Sequence, residues 1–311
     1  MILPPNSKSS VAIICKMPID HVLYSRIQTF SSVIAVDQGL EQCFNMKISP
    51  NWVVGDFDSV SLKILAKIGP EKIIQLKTEK DFTDLEAAIE KAKTLERPIF
   101  IFGALGERMD HTLGNIFQLL NNPGVAFIES KNQIAFAINS QLGKVQIENS
   151  TAQTLSLFAL NGPAQVNLAG EVIDLNKQVL YYPFHKKAAL QIQKGECVVC
   201  LDQRKITPIP DTEDLSLVHF FTYLCDSKKN PIHILPGKEV HVPCRKNQVI
   251  SLIPFYGPVA GITTHGLKWE LTNDQLDKHF IGISNICLND SCTISIKQGD
   301  LLCMINKIKI D

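Results

Sequence analysis

The chain has 311 residues, 45% of them apolar, and its 31 Lys plus Arg balance 31 Asp plus Glu. That length allows two or three domains with sizeable cores, and zero net charge offers no electrostatic footprint for nucleic acid or an anionic membrane. No apolar run is long enough to span a bilayer, and residues 1–10, with their prolines and serines, predict no secretory signal.

Residues 1–126 predict alternating strands and helices, the pattern of a parallel sheet with helices on its faces. Strands are expected at 11–15, 33–36, 52–54, 72–76 and 98–102. A helix is expected at 84–95, where Leu85, Ala88, Ile89 and Ala92 share one apolar face. Thr83 and Glu86 supply its capping box. A second helix is expected at 112–120. From about 127 onward, strand-like runs separated by Gly, Pro and Asn predict a β-rich region. The nine cysteines are scattered, and Cys197-Val198-Val199-Cys200 is the single CxxC. With no second pair it reads as two free thiols in a half-buried strand rather than as a zinc or redox motif. The whole pattern fits a reducing cytoplasm.

The β-rich region contains an ordered series of internal matches. Residues 127–132 resemble 223–228, and 143–147 resemble 237–242 with one insertion. Residues 156–163 align without gaps on 251–258, and 190–196 resemble 294–300. The constant order favours duplication over chance, and two copies are too few for a solenoid. The expected organisation is an α/β domain with a parallel sheet (1–126) followed by two β-sandwich-like modules (127–205 and 223–311). A linker at 206–222, marked by Pro208 and Pro210, joins the modules.

Six aspartates in four clusters follow the predicted strands: Asp37, then Asp56 and Asp58, then Asp81 and Asp84, then Asp110. If the strands are parallel, these carboxylates meet at their carboxyl ends, where open α/β sheets place ligands. An acidic rim of this kind suits Mg²⁺ and, behind it, phosphate. For a single Asp, turn chemistry is the better reading; for four clusters at four strand ends it is not. Thr83 and Asp84 cap a helix and can also face phosphate. Gly103 and Gly106 let backbone approach a ligand closely, and Arg108 can grip phosphate through its fork. His111 reads as a hydrogen-bonding partner rather than a base. Trp269 could stack on a flat ring whose edges Ser284 and Asn285 could bond, although on composition alone Trp269 reads as core and Ser-Asn as a turn.

Gly55-Asp56-Phe57-Asp58-Ser59, Asp81-Phe82-Thr83-Asp84, Gly103 to His111 with Asn115, Gly266-Leu267-Lys268-Trp269 and Ser284-Asn285 together resemble the thiamine pyrophosphokinase (thiamine diphosphokinase) family. Order and spacing also fit, over about 30–123 and about 230–306. The resemblance implies an α/β catalytic domain and a C-terminal β-sandwich, usually in a homodimer. It implies transfer of a diphosphate group from ATP, as co-substrate, to thiamine, with Mg²⁺, giving thiamine diphosphate and AMP. Asp37, Asp56, Asp58 and Asp84 are then the metal and polyphosphate carboxylates, with Asp84 also able to contact the thiamine hydroxyl. Arg108 and Asp110 fall on the nucleotide side, and Asp81, Thr83, Gly103 and Gly106 are further ligand-binding positions. Thr264, Trp269, Ser284 and Asn285 belong to the thiamine-binding part, which in the family completes a site made with the neighbouring subunit.

Two departures stand out. The family usually has Asp-Gly-Gly where this chain has Asp37-Gln38-Gly39, so Gln38 could alter a tight turn. The family has one β-module where this chain predicts two, and the first has Gly170-Glu171-Val172-Ile173 in place of Gly266-Leu267-Lys268-Trp269. The first module is therefore expected to be structural, and it could hold the second at the distance a partner subunit would otherwise set. That leaves monomer or homodimer open. Expected partners are ATP and thiamine, with neither nucleic acid nor membrane. The alternatives are a pyrophosphokinase for another heteroaromatic alcohol such as a hydroxymethylpterin, a non-catalytic thiamine or nucleotide sensor, and a metal-dependent phosphohydrolase.

Overall fold

A computed structural model of the protein describes residues 1–106, 108–176, 179–203 and 232–306. The expected linker at 206–222 and the repeat segment at 223–228 lie outside the described residues. The α/β part runs β1 (Ile2–Leu3), β2 (Val11–Ile14), α1 (Tyr24–Ile27), β3 (Ser32–Val36), α2 (Gly39–Asn45), β4 (Trp52–Gly55), α3 (Leu62–Leu65), β5 (Ile73–Gln75), α4 (Asp84–Lys93), β6 (Ile99–Phe102), α5 (Met109–Asn121) and β7 (Ala126–Glu129).

Strands β2 to β7 form a parallel sheet in the order β7-β6-β2-β3-β4-β5. Strand β2 is buried along its whole length because both faces of the sheet are covered: Ala12 and Ile14 enter one core, Val11 and Ile13 the other. Helix α4 buries Leu85, Ala88, Ile89 and Ala92, as its 3.6-residue period requires. Burial of Leu85 and Ile89 stabilises the docked helix by roughly 1.5–3 kcal/mol each. The Thr83 hydroxyl accepts the Glu86 N–H at 3.1 Å and so starts this helix.

Two differences from the sequence reading concern boundaries. Helix α5 begins at Met109 rather than at 112, so Asp110 and His111 sit in its first turn. Residues 126–129 pair in parallel with β6 and complete the α/β sheet, although their sequence reads as the start of the first β-module. Short apolar runs look alike in parallel and antiparallel sheets, so the pattern alone could not place that boundary.

The β-rich region is antiparallel. Its first part contains β8 (Gln133–Asn139), β9 (Lys144–Glu148), β10 (Thr154–Phe158), β11 (Ala164–Leu168), β12 (Glu171–Leu175), β13 (Val179–Pro183), β14 (Lys187–Lys194) and β15 (Glu196–Asp202). Its second contains β16 (Ile232–Ile234), β17 (Val240–Pro243), β18 (Val249–Pro254), β19 (Val259–His265), β20 (Thr272–Leu276), β21 (Gly282–Ile286), β22 (Ser291–Ser295) and β23 (Leu301–Ile305). The second part makes two four-stranded sheets, β16-β23-β18-β21 and β17-β22-β19-β20. In the first part, β13-β10-β15-β8 continues through the antiparallel β8–β7 pair into the α/β sheet, while β9-β14-β11-β12 has β1 added at its edge.

Cys197 and Cys200 both lie in β15, but that strand is buried on both faces rather than one. Cys197, Val199 and Leu201 fill the core shared with the first β-part, while Val198 and Cys200 face the core that includes α5. Cys244 and Cys287 form a disulfide. Among the described residues no helix is long and apolar enough to cross a membrane.

Candidate functional site

Strands β3, β4 and β5 are sheet neighbours, and their carboxyl ends carry three of the acidic clusters. Asp37 leaves β3 with φ 44° and opens α2. Gly39 follows because a Cβ there would lie 1.9 Å from the Ile14 carbonyl oxygen. Gln38 does not disturb this turn: its φ of −60° and ψ of −9° suit any residue, and its amide donates to the Ser59 carbonyl at 3.0 Å. Gly55 lets the Asp37 carboxylate lie against backbone, since a Cβ at position 55 would be 1.8 Å from Asp37 Oδ1. The Phe57 N–H then donates to Asp37 Oδ1 at 3.3 Å, and the Asp58 N–H to Asp56 Oδ1 at 3.2 Å.

Asp37, Asp56 and Asp84 converge. Burial, then the charges of Asp84 and Asp56, push the Asp37 carboxyl up to about 7. Lys80 sits among them with only 9% of its side chain exposed, 3.0 Å from Asp84 Oδ1 and 3.6 Å from Asp56 Oδ2. Asp84 Oδ1 is buried and meets Lys80 as a charge, without hydrogen-bond geometry. Asp58, Asp81 and Thr83 are exposed around this centre.

This oxygen-only donor set, crowded enough to hold a proton on one carboxyl, has the chemistry of a hard divalent cation site. Among the described residues, only Cys244, Cys287 and Cys292 bring three ligand atoms within 4.8 Å of one another. The more open aspartates suit a cation that keeps waters and takes phosphate oxygens, as Mg²⁺ does.

The loop after β6 makes a second group. Gly103 has φ 66°, and a Cβ there would lie 2.6 Å from the Met17 carbonyl oxygen. The Gly106 N–H donates to Thr112 Oγ1 at 3.3 Å, and Asn115 Nδ2 to the Ala104 carbonyl at 2.7 Å, which fastens the loop to α5. Glu107 lies outside the described residues. Arg108 donates to Asp110 through Nε (3.1 Å) and Nη2 (2.5 Å), and through Nη2 to Ser284 Oγ of the second β-part (2.8 Å).

Asp110 is fully buried and also accepts from Ser251 Oγ at 2.5 Å and Asn306 Nδ2 at 3.0 Å. Burial alone would raise its carboxyl, but the hydrogen bonds from Arg108 and Ser251 and the Arg108 charge outweigh it and hold it at about 2. Asp110 therefore fastens the α/β domain to the second β-part. His111 lies 3.3 Å from Ser284 Oγ, and burial followed by the Arg108 charge lowers it to about 4, which keeps the ring neutral near pH 7.

The third group lies on the second β-part. Gly266 (φ 83°) and buried Leu267 start the β19–β20 loop, and the Lys268 N–H donates to the Ile286 carbonyl at 2.8 Å. Asn285 clamps the Trp269 backbone, accepting its N–H at 3.1 Å and donating to its carbonyl at 2.6 Å. The indole is thereby held 46% exposed, with Lys268 Nζ 4.3 Å from its ring centroid, so Trp269 is a presented surface and not core. Ser284 adopts φ 65° where the β18–β21 register shifts, which turns its hydroxyl toward Arg108 and His111. Thr264 is fully buried and accepts the Leu271 N–H at 2.9 Å, one layer below the loop. Lys268 also reaches Glu79 of the α/β domain at 3.3 Å.

Sequence reasoning missed Lys80, Ser251 and Asn306. Lys80 stands four residues before Asp84, a spacing that could have flagged the pair. Ser251 and Asn306 gave no local signal, since their partner lies far away in the chain.

Comparison with known proteins gives two family matches: "Thiamin pyrophosphokinase, catalytic domain" over residues 24–128 and "Thiamin pyrophosphokinase, vitamin B1 binding domain" over residues 233–301. A thiamine pyrophosphokinase of Bacillus subtilis (strain 168) is 36% identical over 110 residues, 32% of this chain. The chain spans about half the length of that curated relative (50%). A crystal structure of a protein from Lactobacillus plantarum superposes with a TM-score of 0.51 at 18% identity, covering 63% of this chain and 100% of that one. Thiamin pyrophosphokinase from Candida albicans also gives 0.51 at 18% identity, covering 65% of this chain and 95% of that one. At such identities the two superpositions speak for the fold alone.

Proposed function

We propose that this chain, which belongs to the thiamin pyrophosphokinase family and carries its catalytic and vitamin B1 binding domains, transfers a diphosphate group from ATP to the hydroxyl of thiamine. The observation that carries this reading is Arg108. Its Nη2 joins Asp110 of the catalytic segment to Ser284 of the thiamine-binding segment, so both matched segments meet at one seam.

Asp37, Asp56 and Asp84 would hold Mg²⁺, which would neutralise charge on the ATP phosphates. Arg108 Nη1 makes no hydrogen bond among the described residues and is the donor edge left for phosphate. Trp269 offers its exposed face to the cationic thiazolium of thiamine. Asp84 orients the thiamine hydroxyl and accepts its proton. The thiamine oxygen bonds to the β-phosphorus, the bond from that phosphorus to the α–β bridging oxygen breaks, and AMP leaves with that oxygen.

Purified protein given ATP, Mg²⁺ and thiamine tests the reading. AMP release that depends on thiamine supports it. AMP or ADP release that ignores thiamine but responds to a hydroxymethylpterin, or to water alone, overturns it.

A further inference from the structure

The two β-parts share one topology. Strand order β8-β15-β10-β13 corresponds place by place to β16-β23-β18-β21, and β9-β14-β11-β12 to β17-β22-β19-β20. The register agrees too. Phe158 pairs with Val198, and the aligned residue Ile253 pairs with Leu302. Gly195 (φ 76°) and Gly299 (φ 98°) both press on backbone: a Cβ at either would lie 2.6 Å from a proline carbonyl, that of Pro163 or Pro258. These two prolines are themselves aligned in the sequence.

Inward and outward faces match as well. Leu155, Leu157, Cys197 and Val199 fill the interior of the first part; their counterparts Ile250, Leu252, Leu301 and Cys303 fill that of the second. On the outer faces, Phe158, Leu160, Val198 and Cys200 join one core with their own counterparts Ile253, Phe255, Leu302 and Met304. The Leu160 carbonyl accepts the Tyr256 N–H at 2.9 Å, one position beyond the counterpart of Leu160 itself. A patch meeting its own equivalent is the mark of an isologous, two-fold interface.

The symmetry breaks at the α/β domain. Strand β8 continues through β7 into the parallel sheet, whereas β16 ends its sheet among the described residues. Ser251 Oγ donates to Asp110, but the hydroxyl of its counterpart Ser156 is buried with no hydrogen-bond partner among the described residues. Ser156 stands where a second α/β domain would supply the acceptor.

We infer that the chain is a symmetric dimer condensed into one polypeptide that has kept a single α/β domain. The two β-parts are copies that meet as two subunits would. The second copy completes the one site in cis through Ser251, Ser284 and Asn306, so the protein works as a monomer with one site per chain. The face a second subunit would take is already filled by the first copy.

The test begins with sedimentation equilibrium of the wild-type chain over a wide dilution series. The expected mass is that of one chain, 34.6 kDa, throughout. Next, Asp56→Asn and Trp269→Ala variants, damaged on opposite walls, are mixed. A site closed in cis gives no turnover beyond the sum of the two alone. A two-chain mass at working concentration, or recovery of turnover on mixing, overturns the inference. The mixing readout rests on the proposed reaction; the mass does not. If the wild type fails to turn over, only that reaction reading falls. The mass of the ATP-saturated protein then decides: one nucleotide bound at a one-chain mass supports the inference, and a two-chain mass with ATP bound overturns it.

Discussion

Ser251 Oγ donates to the Asp110 carboxylate at 2.5 Å across 141 residues of chain. Neither residue is exposed to solvent. The bond joins the first turn of α5 to the central strand pair of the second β-part, and Arg108 and Asn306 complete the bracket from either side. The seam between the α/β domain and the second β-part is thus held by a buried carboxylate bonded to Arg108, Ser251 and Asn306.

Removing that charge strands its donors. Asp110→Ala is expected to lower unfolding free energy by at least about 1–3 kcal/mol, because it leaves the buried Ser251 hydroxyl and the one-third-exposed Arg108 guanidinium without their acceptor. Ser251→Ala should lower it by about 1–3 kcal/mol. Denaturant unfolding measures both. A loss below about 1 kcal/mol in Asp110→Ala would show that the bracket does not hold the seam.

The Asp37 carboxyl, raised to about 7, binds a proton in the folded state that the unfolded chain releases near pH 4. The folded state therefore binds more protons across that window, and this contribution to stability is lost as pH rises from about 4 to about 7. A divalent cation relieves the same repulsion only where the carboxyl is ionised. The Mg²⁺-induced rise in Tm should be larger at about pH 8 than at about pH 5, and Asp37→Asn should reduce that difference. An equal rise at both pH values would be inconsistent with this cluster as the cation site.

Lys80 pairs with Asp84 at 3.0 Å and with Asp56 at 3.6 Å. In Lys80→Gln the three carboxylates repel one another unopposed, so the cation-free Tm should fall and the gain on adding Mg²⁺ should exceed that of the wild type. An unchanged gain would mean that Lys80 and the cation do not share these carboxylates.

Trp269 is 46% exposed, so Trp269→Ala should leave stability nearly intact. Loss of its cation–π face should raise KM for thiamine roughly 2- to 30-fold while leaving KM for ATP near its original value. A large fall in Tm with unchanged thiamine KM would return Trp269 to the core.

Much of the α/β domain was legible because its signals are local. The period of α4 and the aspartates after β3, β4 and β5 need only a few residues of context each. The β7 boundary was not legible, since the same short apolar run suits both its parallel pairing with β6 and its antiparallel pairing with β8. Asp110 shows the same limit at the site: a motif aspartate beside Arg108 looked like a ligand group, while its burial is set by Ser251 and Asn306. Trp269 erred the other way. Composition favours the core for a tryptophan, and only the Asn285 clamp shows why this ring stays outside.

The most direct test of the account is the fate of each phosphorus, followed by ³¹P NMR as the wild-type protein consumes ATP with Mg²⁺ and thiamine. The account predicts that the α-phosphorus appears in AMP and that the β- and γ-phosphorus appear together in thiamine diphosphate, in equal amounts. ADP with a thiamine monophosphate, or AMP with free diphosphate, would contradict it.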